Sequence, residues 1–459
     1  MFFMGWSMKT QQNDFLHGKI LAPLLRFAGP VLLALFLQAM YGAVDLIVVG
    51  KFAGTADISA VSTGSQAMHL VTSLIAGLTT GVTVLLGQKI GEGKPEAGGR
   101  VVGSAICLFA CVAAGLTALL LGLTKPLCTL LQAPQEAFVP TTEYVRICSA
   151  GTVFIVAFNV IGSVFRGLGD SKMPLITVAI ACVVNIFGDL LLVSVFHMGA
   201  AGAAWATVFA QAISVILSLL IIARRELPFT FSKKQLRFDG TLTSGILQLG
   251  LPIALQDVLV SVSFLVILAI VNGLGLLQSA GVGIAEKVCA FVMLLPSAFS
   301  QSVSAFVAQN TGAGKPERAK KALRCGVIVS LCISVFVGYF NFFHGDILAR
   351  IFANDAAVIA EAADYLKAYA IDCLLTSFLF CFIGYFSGIG KTVFVMAQGI
   401  LGAFAVRIPV SFLMARLPDV RLFYIGLATP CSTLVQVALC LGYYALLRKR
   451  ERQVRADAV

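Results

Sequence analysis

Gly87-Gln-Lys-Ile-Gly-Glu-Gly-Lys-Pro-Glu96 recurs 221 residues later as Ala308-Gln-Asn-Thr-Gly-Ala-Gly-Lys-Pro-Glu317. Gln, both Gly, Lys, Pro and Glu hold their places. The same offset relates Glu143-Tyr144-Val145-Arg146 to Asp364-Tyr365-Leu366-Lys367, and Gly167-Leu168-Gly169 to Gly388-Ile389-Gly390. Three matches at one spacing mark an internal duplication, so the fold must be read as two copies of one pattern.

Composition decides the solvent of those copies. Of 459 residues, 59% are hydrophobic and only 12% charged, where soluble domains carry about 25% charged residues; the mean hydropathy is +0.94. Apolar runs such as 101–123 and 173–196 meet the length of about 20 residues needed to cross a bilayer as a helix. The roughly ten-residue alternating segments of a membrane β-barrel are absent. The sequence therefore predicts an all-α polytopic membrane protein with twelve transmembrane helices in two six-helix lobes.

The spans fall at 22–50, 57–88, 99–124, 139–163, 173–196 and 200–224, then at 245–273, 279–310, 322–345, 359–386, 391–415 and 420–447. This divides the chain into an N-terminal segment 1–21, an N-lobe 22–224, a linker 225–244, a C-lobe 245–447 and a tail 448–459. Of the 33 Lys and Arg, 24 fall on the side of the N-terminus and 5 on the other. The excess of basic loops predicts both termini in the cytoplasm of a multi-pass cell-membrane (inner or plasma membrane) protein. Six spans per copy is an even number, so the copies enter the membrane in the same sense. Parallel repeats belong to transporters whose lobes rock about a central site.

The net charge of +11 does not signal nucleic acid, because the basic residues lie in loops between apolar runs. Most of the twelve cysteines lie inside those runs without any CxxC pair, so buried free thiols are expected. The stretch Met1 to Lys19 lacks a continuous apolar core, and no cleaved signal peptide is expected. The glycine-rich loops lack the GxxxxGK[ST] phosphate cradle; they read as turns with a Pro at the next helix start. No cofactor and no enzymatic activity are expected.

Chemistry is sought instead among ionisable groups at membrane depth, which cost roughly 2.5–3.5 kcal/mol to insert and are functional candidates by default. Asp45 lies 15 residues after Pro30, about 22 Å along the helix. Asp189 follows Asn185 by four residues, on the same helix face. Asn159 and Thr207 add uncharged oxygens. A carboxylate pair with amide and hydroxyl oxygens suits H⁺ or Na⁺, and Asp45, Asn185 and Asp189 are the candidate Na⁺ ligands. In the second copy, Arg407 reads as deep, Asp257 as shallow, and Glu286 with Lys287 as an exposed pair near a span start. Gln38, Asp257 and Arg407 are candidate substrate-pathway residues.

Taken together, Gly29-Pro30, Asp45, Gln88-x-x-Gly91-x-Gly93, Gln309-x-x-Gly312-x-Gly314, Arg166-Gly-Leu-Gly-Asp170 and Asn185-x-x-x-Asp189 resemble the multidrug and toxic compound extrusion (MATE) family. The acids are similar to those of its DinF-type branch. The resemblance implies two six-helix lobes that expel small cationic, amphipathic compounds in exchange for H⁺ or Na⁺. It implies ion-coupling roles for Asp45, Tyr144, Asn159, Asn185, Asp189 and Thr207, in a protein that works as a monomer in the lipid bilayer. The NorM-type branch places acids in spans 7 and 10. Here Lys391 follows Gly390 and no acid is expected at mid-span 7, so a second ion site is not implied. The alternative is a flippase for lipid-linked oligosaccharides, which calls for a basic cavity.

Overall fold

A computed structural model describes residues 15–457 except 226, 230, 232 and 419. The first fourteen residues of the expected N-terminal segment lie outside the described residues. Among those described, no strand occurs. Eleven helices are long and apolar enough to span a membrane, and a twelfth span is a bent pair. In order they are α1 (Leu21–Phe52), α2 (Thr55–Gly91), α3 (Glu96–Leu130), α4 (Gln135–Ala150 and Thr152–Leu168), α5 (Lys172–Val195) and α6 (Gly199–Ala223). The second copy has α7 (Gly240–Asn272), α8 (Leu276–Gly312), α9 (Pro316–Phe343), α10 (Ala356–Gly388), α11 (Thr392–Met414) and α12 (Leu422–Gln453). Backbone groups in hydrocarbon must bond within their own segment, which leaves helices as the solution for such a chain. Leu33, Phe36, Phe187, Ile328 and Phe336 are among the large apolar side chains that remain exposed, as a lipid-facing surface requires.

Several elements depart from the sequence expectation. Span 4 is two helices meeting at 51° rather than one, and it ends at Leu168 instead of residue 163. Helix α7 begins at Gly240, inside the expected linker, because Asp239 Oδ1 accepts from Thr241 N (3.1 Å) and Leu242 N (3.2 Å) and caps it. Helix α12 runs to Gln453, so the first part of the expected tail is helical. Two π-helical turns interrupt the spans, at Leu190–Val195 in α5 and Leu401–Arg407 in α11. All twelve cysteines are free and seven are buried, but Cys111, Cys332 and Cys431 are exposed.

The chain forms two compact units. The first holds residues through Ala254, Ala305–Ala319 and Gly388–Gly390; the second holds Leu255–Ser304, Lys320–Ser387 and the chain from Lys391. The unit boundaries therefore cut α7, α8, α9 and α10, and both repeated loops belong to the first unit.

Within the first unit those two loops form a reciprocal clasp. Gln88 Nε2 donates to Gly388 O at 3.1 Å, and Gln309 Nε2 donates to Gly167 O at 2.9 Å. Each copy's glutamine thus satisfies a carbonyl at the helix end of the other copy's Gly-x-Gly turn. The backbones meet at the loop glycines: a Cβ at Gly91 would stand 2.0 Å from Gln309 O, and one at Gly312 would stand 2.0 Å from Gln88 O. Only glycine permits that approach. Gly93 and Gly314 then turn the chain with φ of 70° and 66°. Around this shared frame the charges differ. Lys89 Nζ (2.8 Å) and Lys94 Nζ (3.4 Å) flank Glu92. Lys89 above all holds that carboxyl below its usual range. In the other copy Lys315, Arg318 and Asn310 instead hold the carbonyls of Phe15, Leu16 and Gly18 at 2.7–3.1 Å.

The second unit packs its core around Ile267, Val282, Tyr365, Leu366 and Ile425. Asp364 pairs with Lys367 (3.8 Å), as its i,i+3 spacing predicts, and more closely with Arg421 (2.6 Å). Lys320 pairs with Glu451.

Candidate functional site

Helices α1, α5 and α6 pack on one another inside the first unit, and their polar residues meet where α5 and α6 approach closely. A Cβ at Gly188 would stand 3.0 Å from Ala206 Cβ, so the two backbones are nearly in contact at the residues preceding Asp189 and Thr207. Asp170 fixes the start of α5: Oδ1 accepts from Lys172 N (2.9 Å) and Met173 N (3.2 Å), while Oδ2 pairs with Arg225 at 3.0 Å. The π turn begins directly after Asp189; such turns recur at functional sites.

The structure brings four of the expected residues together. Thr207 Oγ1 donates to Asp45 Oδ2 and Asn185 Nδ2 donates to Thr207 Oγ1, both at 3.4 Å. That distance is loose for a hydrogen bond. Asn185 and Asp189 are also close electrostatic neighbours of Asp45. Asp45 is 5% exposed, Asn185 1% and Asp189 0%, so water does not solvate them. Asp45 Oδ1, Asn185 Oδ1 and both carboxyl oxygens of Asp189 have no donor among the described residues. Each orphan of this kind costs about 1–3 kcal/mol. Burial of two acids with unpaired oxygens makes their charged forms costly.

The other expected residues stand differently. Tyr144 is buried, with Asp45 and Asp189 among its electrostatic neighbours but no hydrogen bond to either. Asn159 does not join the acids; its Nδ2 donates to Ile155 O at 2.9 Å, one turn back in its own helix. Gln38 is one step removed: it, Gln211 and Asp45 are electrostatic neighbours of the Tyr41 hydroxyl. Tyr41 and Gln211 were not singled out from the sequence. Both could have been found there, since Tyr41 precedes Asp45 by four residues and Gln211 follows Thr207 by four, one helical turn in each case. Among the described residues no group of three His, Cys, Asp or Glu could hold a metal ion. Na⁺ binding would therefore rest on the two carboxyls with the amide and hydroxyl oxygens.

Two second-copy expectations need correction. Asp257 is not shallow: α7 starts at Gly240, so Asp257 sits 17 residues in and 15 from Asn272, and an acid does occupy the middle of span 7. Glu286 lies ten residues into α8 and is half-buried while Lys287 is exposed, so the two are not an exposed pair. Arg407 is deep, as expected, at 5% exposure.

A duplicated helical scaffold with apolar outer surfaces and a buried polar cluster defines a polytopic membrane transporter. The chain belongs to the MatE family, whose model matches it twice, over residues 30–191 and 252–413. The probable multidrug resistance protein YpnP of Bacillus subtilis (strain 168) is 29% identical over 443 residues, covering 94% of this chain and 96% of that protein. An FAD transporter of Shewanella oneidensis is 27% identical over 363 residues, 76% of this chain and 79% of that protein. A crystal structure of MATE in complex with MaL6 superimposes with a TM-score of 0.90 at 18% identity, covering 96% of this chain and 99% of the other. That likeness shows a common fold.

Proposed function

We propose that the protein is a secondary multidrug exporter that expels small cationic, amphipathic compounds in exchange for H⁺ or Na⁺ by alternating access. It would act as a monomer in the cell membrane with both termini cytoplasmic. The observation that carries this reading is the set of four buried, donorless oxygens on Asp45, Asn185 and Asp189. Kinship with YpnP, named a probable multidrug resistance protein, supports the substrate class, and the bias of basic loops supports the orientation.

In this reading Asp45 and Asp189 take up the ion from outside, Asn185 and Thr207 orient them, and Tyr41 and Tyr144 seal the site from water. Ion entry neutralises the pair, which weakens the hold on a cationic compound and favours its release outward. One charge moving through 100 mV supplies about 2.3 kcal/mol, and a tenfold ion gradient about 1.4 kcal/mol more. An outgoing monovalent cation spends the first of these, so a one-for-one exchange sustains about a tenfold substrate gradient per ion. Ethidium movement in proteoliposomes, under H⁺ and Na⁺ gradients imposed separately, tests the reading. Transport driven by at least one gradient is expected; no transport under either overturns it.

A further inference from the structure

The stretch before α1 is held by the other copy of the repeat. Phe15 O accepts from Asn310 Nδ2 (3.1 Å) and Arg318 Nε (2.8 Å), and Leu16 O accepts from Lys315 Nζ (2.9 Å). The same guanidinium donates to His17 O and Gly18 O, both at 2.7 Å. The Phe15 side chain is 3% exposed, and its ring lies 4.8 Å from that of Phe306 in α8 and 5.4 Å from that of Phe27 in α1. It also reaches Gly169, where a Cβ would stand 3.5 Å from Phe15 Cε2 and 3.1 Å from Gln309 Nε2. Phe15 therefore sits beside the bond from Gln309 to Gly167, which closes one side of the clasp. All of these residues belong to the first unit.

The matching stretch before α7 is also held by the opposite copy, but differently. Arg237, 221 residues after Leu16, has its carbonyl bonded by Ser104 Oγ of α3 at 3.3 Å. Nearby, Gln235 O lies so close to Gly103 that a Cβ there would strike it. That join is backbone against backbone. Residues 15–18 hang instead largely on long cationic side chains, those of the half-buried Lys315 and Arg318, and water can take over such bonds to neutral carbonyls. The loops explain the difference. In the first copy Lys89 and Lys94 flank Glu92. In the second, Ala313 takes the place of Glu92, and Arg318 that of Ala97. Losing the acid and gaining a guanidinium turns a self-paired loop into a clamp for backbone carbonyls.

We propose that residues 15–19 form a strap that latches the clasp shut and lets go when the transporter opens on this face. The strap ties the start of α1, in the first copy, to the turn between α8 and α9 in the second. Opening here separates the two repeated loops, and must draw Phe15 away from Gly169 and Phe306. Its bonds are several, individually weak and within reach of water, which suits a contact made and broken in every cycle. The proposal rests on the alternating-access reading given above, in which this face is cytoplasmic.

Hydrogen exchange of the full-length protein in lipid nanodiscs tests it, with Lys315→Ala/Arg318→Ala and Ala313→Glu beside wild type. Loss of the strap should raise exchange about fivefold or more, the factor carried by one hydrogen bond, in 15–20 and across the clasp in 86–94. Residues 362–369 of the second unit should exchange as in wild type. Ala313→Glu restores the acid that the first copy carries, so it should draw Lys315 off Leu16 and raise both segments about twofold. If the double variant does not insert, Ala313→Glu decides by the same outcomes. Exchange that rises in 15–20 alone overturns the proposal, because the strap would then only anchor α1. No change in either segment overturns it, as does an equal rise in 362–369, which marks general destabilisation. Wild-type ethidium transport measured alongside separates the two readings. If wild type transports while exchange in 86–94 does not move in the variants, the latch falls and the exporter stands. If exchange rises as expected but wild type transports under neither gradient, the strap still closes this face and the exporter falls.

Discussion

The two units hold the same kind of pocket residues with opposite endings. Among the described residues, Asp45, Asn185 and Asp189 in the first present four oxygens with no donor; in the second, the buried Arg407 bonds Ser263 and presents a nitrogen with no acceptor. The framework around them is nearly symmetric: Gln88 and Gln309 exchange bonds with the opposite copy's turn, and Gly91 and Gly312 allow the same 2.0 Å approach. Duplication has kept the parts that set geometry and changed the parts that set charge.

That contrast can be broken by substitution, and the largest effect is expected at the acids. Asp45→Asn should insert and fold yet lose ion-driven ethidium efflux by about 100-fold, since the carboxyl pair is removed. Wild-type efflux would take Asp45 out of the mechanism. Next come the stabilities of the two sites, which should respond in opposite directions. Arg407→Ala removes a buried guanidinium that bonds Ser263 and lies over the Phe264 ring, and should cost about 1–3 kcal/mol in thermal unfolding of the purified protein. Asp189→Asn removes an acid whose oxygens have no donor, and should be neutral or stabilising. Equal losses in the two variants would mean that the units are not electrostatic opposites.

The scaffold should behave symmetrically where the sites do not. Gly91→Ala and Gly312→Ala each force a methyl onto a carbonyl, and each should lower stability by about 1–3 kcal/mol. A large effect in one and none in the other would break the symmetry of the clasp. Smallest are Gln88→Ala and Gln309→Ala, at about 1 kcal/mol each. Gln309 should be the costlier, because it is fully buried and Gln88 is only half-buried.

The number of spans, their duplication and the depth of Asp45 and Asp189 were legible because apolar runs and one-turn spacings survive in sequence as simple counts. The break at Gly151 and the two π turns were not, since a single-residue change of helical bonding leaves hydropathy unaltered. The depth of Asp257 was misread because α7 starts five residues earlier than its hydropathy suggests, behind the Asp239 cap. Asn159 looked like a site oxygen on composition alone; its amide is used by its own helix, a local bond that sequence spacing allows but does not require. The bond of Arg407 to Ser263 joins α11 to α7, 144 residues apart in the chain, and nothing short of the fold brings the two together.

Equilibrium binding of H⁺ and Na⁺ to the purified protein, wild type beside Asp45→Asn/Asp189→Asn, tests most directly whether the first unit alone carries the exchangeable ion. A single site that vanishes in the double variant is the predicted result. A site that persists in the double variant would contradict it.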